Sequence, residues 1–440
     1  MSPEARPVQA WATRAAALLA LLPGLASGAA WEMIPKVEAG TVYETNPRYL
    51  RDCRDSDPPG ARCGNEYAMG TFVDARVTAA WRTPDTEIRV TPRVRDWNYL
   101  ESNKDLNNND QYVDLSALQR FRRLETGLSA EYADTLVRQQ NVESATPDDP
   151  NLPPPITGGA SQQADDGASQ ERWSVTPYLS YNLSPRNSLA LQLGYSSTSF
   201  DDRVNIRFFD FDTTSAELSL THTLDQKNQF RIAVNSSTFD ADNFNRTDIP
   251  LFRIENETDN YGINATYERT LTQTLRATLR LGTVRNSALV TSGGSTFRAT
   301  ESSLLGNFGI RKRSEKTTLN FDVGRTQVPR SDGRQVTQDE ARFFVDHNFT
   351  QRFSGRFGAV FLDQSTIGDF DRFEQQYWTG DFSVAYRLLP TWTVRALYTY
   401  RDTSTDFAQF GDFGNFGQQF DQENRRLFLS VTWSGLGWRR

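Results

Sequence analysis

Apolar residues stand at every second position over stretch after stretch of this chain. In LALQLGY, Leu189, Leu191, Leu193 and Tyr195 share one face, while Ala190, Gln192 and Gly194 share the other. A period of two is that of an extended strand with one apolar and one wet face. The same alternation picks out Val37, Ala39, Thr41 and Tyr43, then Val73, Ala75, Val77, Ala79 and Trp81. It returns in Phe230, Ile232 and Val234, in Tyr261, Ile263, Ala265 and Tyr267, and in Leu275, Ala277, Leu279 and Leu281. Towards the C-terminus it passes through Leu319, Phe321 and Val323 to Leu427, Leu429, Val431 and Trp433. One stretch, with Ile88, Val90 and Val94, contains Pro92, which cannot donate to a ladder. The pattern predicts eighteen strands, with sixteen as the nearest alternative.

The connections separate into two classes. Short turns are expected at 83–85, 122–124, 184–187, 224–228, 271–274, 312–316, 349–352 and 388–391. Long loops are expected near 46–66, 100–110, 137–170, 200–210, 240–256, 285–299, 326–337, 364–375 and 401–424. Eight short and nine long connections alternate without a break. Long strands joined in this way predict an all-β fold, a single 18-stranded antiparallel transmembrane β-barrel with lipid outside and a polar lumen inside. An even strand number returns both chain ends to the periplasmic side. A propeller or β-helix would not divide its connections in two.

Aromatic positions follow the same logic. With the long loops outside the cell, Tyr43, Tyr132, Trp173, Tyr195, Tyr261, Trp378 and Tyr398 fall on apolar faces near the outer strand ends. Trp81, Tyr181, Tyr267, Phe349, Trp392 and Trp433 fall near the inner ends. Two such belts are expected at the two headgroup layers. A terminal aromatic of the kind barrel assembly reads is either Trp433 or Trp438.

Residues 1–30 read as a secretory signal peptide: Arg6 and Arg14, a short apolar core from Ala15 to Leu22, then small residues up to Ala30. Residues 31–440 are then the barrel. No later stretch nears the roughly 20 apolar residues of a spanning helix. The mean hydropathy of -0.60 fits a barrel, in which only alternate strand residues meet lipid. The net charge of -7 and the lack of a basic tail exclude a nucleic-acid partner from the expectations. The two cysteines, Cys53 and Cys63, share one predicted loop, and an oxidising periplasm favours a local disulfide between them. A metal site is the weaker alternative, since no histidine lies near.

Little here suggests catalysis. The two histidines, His222 and His347, fall on predicted lipid-side faces beside short turns, and no GxSxG turn or P-loop occurs. Neither an enzyme nor a cofactor is expected. The lumen face carries Arg76, Arg82, Arg89, Arg93, Arg95, Arg231, Arg280 and Arg356 among others, with Glu38, Asp74, Glu87, Glu217 and Asp346 among the acids. One reading is a cross-strand network that stiffens the wall. The other is an anion path, for which Arg76, Arg89, Arg93 and Arg95 are the candidates, because guanidinium suits carboxylate or phosphate and arginine rings select anions. The long loops are acidic, as in Pro147-Asp148-Asp149-Pro150 and FGDFGNFGQQF, yet their spacing matches no EF-hand calcium loop.

The opening WEMIPKVEAGTVYETN, a strand running straight into a loop after an aromatic start, resembles the beta-barrel porin 2 family, as do the mature length and the hairpin count. The resemblance covers essentially all of 31–440. It implies a barrel in the outer membrane of a Gram-negative bacterium, in contact with lipid and lipopolysaccharide. It also implies a role beside exopolysaccharide synthesis, with a polysaccharide cargo and a periplasmic export partner. The expected function is a passive path for export of an anionic exopolysaccharide. The alternatives are a small-solute porin, and a structural or surface-interaction barrel with a plugged lumen.

Overall fold

The computed structural model describes residues 30–47, 67–136, 169–200, 209–242, 254–292, 295–329, 335–366, 373–407 and 418–439. The expected signal peptide, apart from Ala30, and the Cys53–Cys63 loop lie outside the described residues.

Eighteen long strands form one sheet: β1 Ala30–Thr45, β2 Tyr67–Arg82, β3 Thr86–Tyr99, β4 Asn108–Arg120, β5 Leu124–Leu136 and β6 Ser169–Ser184. There follow β7 Asn187–Phe200, β8 Asp210–Thr223, β9 Asn228–Asp242, β10 Ile254–Thr272, β11 Leu275–Ser292 and β12 Ser295–Arg313. The last are β13 Thr317–Pro329, β14 Gln335–Asn348, β15 Phe353–Thr366, β16 Phe373–Leu389, β17 Trp392–Phe407 and β18 Gln418–Ser434. Each strand pairs antiparallel with its sequence neighbours, and β18 pairs back onto β1 from Lys36↔Ser434 to Thr45↔Arg425. A two-residue β19, Trp438–Arg439, joins the foot of β1 through Met33↔Trp438. The sheet therefore closes on itself across the lipid-facing band, satisfying its backbone groups there as a bilayer core requires of strands.

The alternation read from the sequence sorts residues as expected. Leu189, Leu191 and Leu193 of β7, Leu218 and Leu220 of β8, and Ile232 and Val234 of β9 are exposed on the outer surface, although they are large and apolar. Ser219 and Ala233, between them in sequence, are buried on the lumen side. Such an outer band is an interface with lipid, not with water. Tyr43, Trp173, Tyr261, Trp378 and Tyr398 are exposed at one rim of the band, and Tyr181, Phe349 and Trp392 at the other. The architecture is that of an outer-membrane β-barrel.

At the short-turn end one device recurs. A side-chain oxygen at the first turn residue accepts from a backbone N–H two or three residues on: Thr83 from Thr86 at 2.9 Å, Ser184 from Asn187 at 3.1 Å, Ser314 from Thr317 at 3.2 Å and Thr350 from Phe353 at 3.0 Å. Asp225 does the same for Lys227 and Asn228, at 2.7 and 2.9 Å. The side-chain amide of Asn228 also donates to it, and these bonds hold the Asp225 carboxyl below its ordinary pKa. Proline acts within the wall: the β2–β3 ladder is interrupted between Arg76↔Arg93 and Ala79↔Val90, where Pro92 lacks its donor.

At the long-loop end the strands overshoot the expectation. Residues 285–299, expected as a loop, are mostly strand, since β11 and β12 run on to Ser292 and from Ser295, leaving only 293–294 between them. The ends of β13 to β18 likewise extend into segments expected as loops. Strands here are 13 to 19 residues long, against the about 9–11 a bilayer needs. Their tops therefore stand beyond the lipid, where both faces are polar and the apolar alternation fades although pairing continues.

Candidate solute path

The lumen face begins with the register. On β1, β2 and β3 the lumen positions Lys36, Arg76 and Arg93 lie directly opposite one another, as Lys36↔Arg76 and Arg76↔Arg93. One step further along, Glu38, Asp74 and Arg95 form the next row. Like charges set directly opposite across a ladder repel, so this row needs compensation. Asp74 supplies part of it. Its carboxylate accepts from Arg93 Nη2 at 2.6 Å and Nε at 2.9 Å, and from Arg95 Nη2 at 2.6 Å and Nε at 2.9 Å. Both guanidiniums also lie over aromatic rings, Arg93 over Tyr112 at 5.1 Å and Arg95 over Trp97 at 5.4 Å. Arg89 sits nearer the short-turn end and pairs with Glu87 at 3.0 Å, while Arg82 bridges Glu87 and Glu32, each at 3.2 Å. Of the four anion-path candidates, Arg76, Arg93 and Arg95 come together, and Arg89 stands apart, sharing Glu87 with Arg82.

The pattern continues around the wall. Glu217 receives Arg231 and, at 3.4 Å, Arg280; Arg276 meets Glu268 at 3.2 Å; Arg356 meets Asp346; and Arg342 donates to Glu340. These pairs, cross-strand apart from Glu340–Arg342 within β14, form the kind of network that one of the two sequence readings describes. The outward face near the short turns holds both histidines. His222 shares a hydrogen bond with Asn187 at 2.7 Å, and His347 with Thr317 at 2.8 Å, with the Phe349 ring 4.7 Å from its own.

Lumen-side residues differ between the two ends. Towards the long loops they are packed: Val42, Ala68, Phe72, Trp97, Tyr99 and Leu106 form one cluster, with Phe428 against it. Phe200, Phe209, Phe211, Phe239 and Ala241 form a second on β7–β9, and Val360, Leu362 and Tyr377 a third on β15 and β16. Towards the short turns, lumen residues such as Arg76, Arg89 and Arg356 are half-exposed. A six-residue 3-10 turn, Glu101–Leu106, contributes Leu106 to the first cluster.

One polar assembly was not anticipated. Glu44, fully buried on β1, accepts from Arg426 Nε at 2.6 Å, Asn424 Nδ2 at 3.0 Å and Tyr99 OH at 3.3 Å. Asn424 also donates to the Thr45 carbonyl at 2.6 Å, and Asn46, whose φ of 49° ends β1, donates to the Glu423 carbonyl at 3.1 Å. The cluster rivets the first strand to the last. Parity in the two terminal strands was the available signal, since closure makes an acid on one face a partner to the arginine opposite.

No family model matches the chain, and no curated protein matches it. Among solved structures it is similar to the FrpB iron transporter from Neisseria meningitidis (F3-3 variant), at 11% identity over 94% of this chain and 83% of that one, with a TM-score of 0.44. It is similar to the alcaligin outer membrane receptor FauA from Bordetella pertussis, at 9% identity over 91% and 76%, TM-score 0.41. It is also similar to the ferric citrate transporter FecA in its unliganded form, at 8% identity over 92% and 78%, TM-score 0.45. At such identities and scores the likeness carries nothing about cargo.

Proposed function

We propose that this protein is a channel of the Gram-negative outer membrane, its long loops outside the cell, giving a passive aqueous path for an anionic exopolysaccharide on its way out. The observation that carries this reading is the lateral row Lys36, Arg76 and Arg93, three cations placed opposite one another on the lumen face, with Arg95 beside them. Such a row lines the lumen with positive charge, and bidentate guanidinium suits a carboxylate or phosphate in transit. The resemblance of the opening segment to the beta-barrel porin 2 family supports the same cargo. Direction comes from the synthesis machinery and a periplasmic partner.

The packed lumen clusters at the long-loop end favour a second reading, a plugged barrel whose exterior loops bind partners. Planar-bilayer recordings separate the two. The channel reading expects open current with a reversal potential on the anion side, reduced in Arg76→Gln, Arg93→Gln and Arg95→Gln. Absence of current overturns a passive path. Current with no anion preference, or a preference untouched by the replacements, overturns the anionic cargo and leaves a small-solute porin.

A further inference from the structure

The seams of the barrel are not equivalent. β11 and β12 pair along their whole length, eighteen residue pairs from Leu275↔Lys312 to Ser292↔Ser295. β13 and β14 likewise pair up to Pro329↔Gln335. Between these two hairpins, β12 and β13 share only eight pairs, from Arg313↔Thr318 to Gly306↔Arg325. Both strands continue beyond that point, β12 by eleven residues to Ser295 and β13 by four to Pro329. Among the described residues nothing joins them there. Continuing the register would set Leu305 opposite Thr326 and Leu304 opposite Gln327.

Burial shows the same divergence independently of the hydrogen bonds. On the β13–β14 side, Val328 and Val336, which pair with each other, are buried, Val336 completely. On the β12 side, Thr296, Phe297, Arg298, Thr300, Glu301 and Ser302 are exposed whichever way they point, and Leu304 is 72% exposed. The described ends of the two hairpins thus differ in burial. Among the described residues, 302–305 of β12 therefore have no ladder partner on the β13 side, a kind of edge that natural sheets ordinarily cover.

Its height is set by the outward residues. On β13 the apolar band runs through Leu319, Phe321 and Val323 and stops at Arg325, whose guanidinium meets Asp339 of β14 at 2.5 Å on the outer surface. On β12 it runs through Phe308 to Leu304 and gives way to Ser302. The fork opens where the lipid-facing band ends, so it faces the headgroup layer. Its flanks are mixed: Leu304 points to the lipid side, while Ser303 and Leu305 point to the lumen side.

We propose that this fork is a lateral port, through which an amphiphile with a polar head and an alkyl or acyl chain passes between the lumen and the outer leaflet. A polar head can remain on the lumen side while the chain leaves past Leu304, so neither part crosses an environment of the wrong polarity. The inference rests on the channel reading only in assuming a lumen behind the wall.

Lipid-borne thiol chemistry tests it. In a background with Cys53 and Cys63 replaced by serine, Leu305→Cys and Asn307→Cys place single thiols on the lumen side, the first at the fork and the second behind the paired wall. The protein is reconstituted in phosphatidylcholine vesicles containing a maleimide-headgroup phosphatidylethanolamine. The port predicts that the lipid reagent labels the Leu305→Cys variant about tenfold faster than the Asn307→Cys variant, while a water-soluble maleimide labels both at similar rates. Equal labelling by the lipid, or none at the fork, overturns the proposal. Should the cysteine-free background fail to fold, hydrogen exchange on the unaltered protein in lipid nanodiscs replaces it. Residues 302–305 should then exchange about tenfold faster than 307–311, and equal protection overturns the fork. A closed fork with normal anion conductance refutes only the port, whereas an open fork without conductance refutes only the axial path.

Discussion

Asp74 shows what one residue does in a lumen wall. It is buried, and its carboxylate takes two guanidiniums, both of which converge on Oδ2. Removing one partner from a buried ion pair typically costs about 3–5 kcal/mol, because the charge left behind stays desolvated. Asp74→Asn keeps the shape and removes the charge, leaving Arg93 and Arg95 beside the already crowded Arg76. It should lower the temperature at which the folded barrel loses its compact gel mobility. If the lumen conducts, it should also move the reversal potential further to the anion side, opposite in sign to the arginine replacements. A loss of stability with no change in selectivity would mean that these arginines serve the wall alone. Gly127 makes a steric point at the same scale. A Cβ there would lie 2.0 Å from the Tyr178 ring, which crosses the glycine so that its hydroxyl reaches Glu125 at 3.1 Å. A lumen lined by long side chains needs such gaps.

At the scale of the strand, each residue's side of the wall decides what a substitution does. Leu279 faces lipid, so Leu279→Arg near the middle of the band should cost about 2–4 kcal/mol. Its neighbour Thr278 faces the lumen between Arg276 and Arg280, and Thr278→Glu should be tolerated. Unfolding titrations in lipid vesicles compare the two; equal costs would mean that the faces are misassigned. The sequence carried this sidedness because contact with lipid forces apolar residues onto alternate positions. Strand number, short turns and both aromatic rims were legible for the same reason. The strand tops were not. Above the lipid, residues such as Asn286, Ser287, Thr300 and Glu301 meet polar surroundings on both faces, so 285–299 looks like a loop although its described residues pair as β11 and β12. The fork beside β13 was invisible too, since missing hydrogen bonds leave no mark on hydrophobicity. Of the candidate site, the arginines and their faces were readable from parity, but their sharing of Asp74 depends on register across three strands.

For the whole molecule the decisive event is closure. Every seam but the one where β1 meets β18 and β19 joins neighbours in sequence and forms as a hairpin or a loop-linked pair. The β1–β18 seam joins residues 382 positions apart, Glu44 and Arg426, and must be found after all the others exist. Loop-closure entropy grows only slowly with separation, so the difficulty lies in choosing the register, not in reaching it. A slip of one residue would turn every lipid-facing side chain of β1 inward. The buried cluster opposes that slip, because Glu44 finds Arg426, Asn424 and Tyr99 together only in the correct register. Glu44→Ala should therefore leave a buried guanidinium without its carboxylate and lower the thermal midpoint of the gel-mobility shift by the equivalent of about 3–5 kcal/mol. Glu44→Met combined with Arg426→Met removes both charges, and replacement of a buried pair by apolar groups is often neutral or stabilising. The double variant should thus recover the midpoint, while refolding into vesicles yields more slowly closing or misregistered barrels, detected as a lower fraction of compact, protease-resistant protein. If the double variant refolds as completely as the parent, the cluster stabilises the seam without selecting it, and the register is set by the apolar alternation alone.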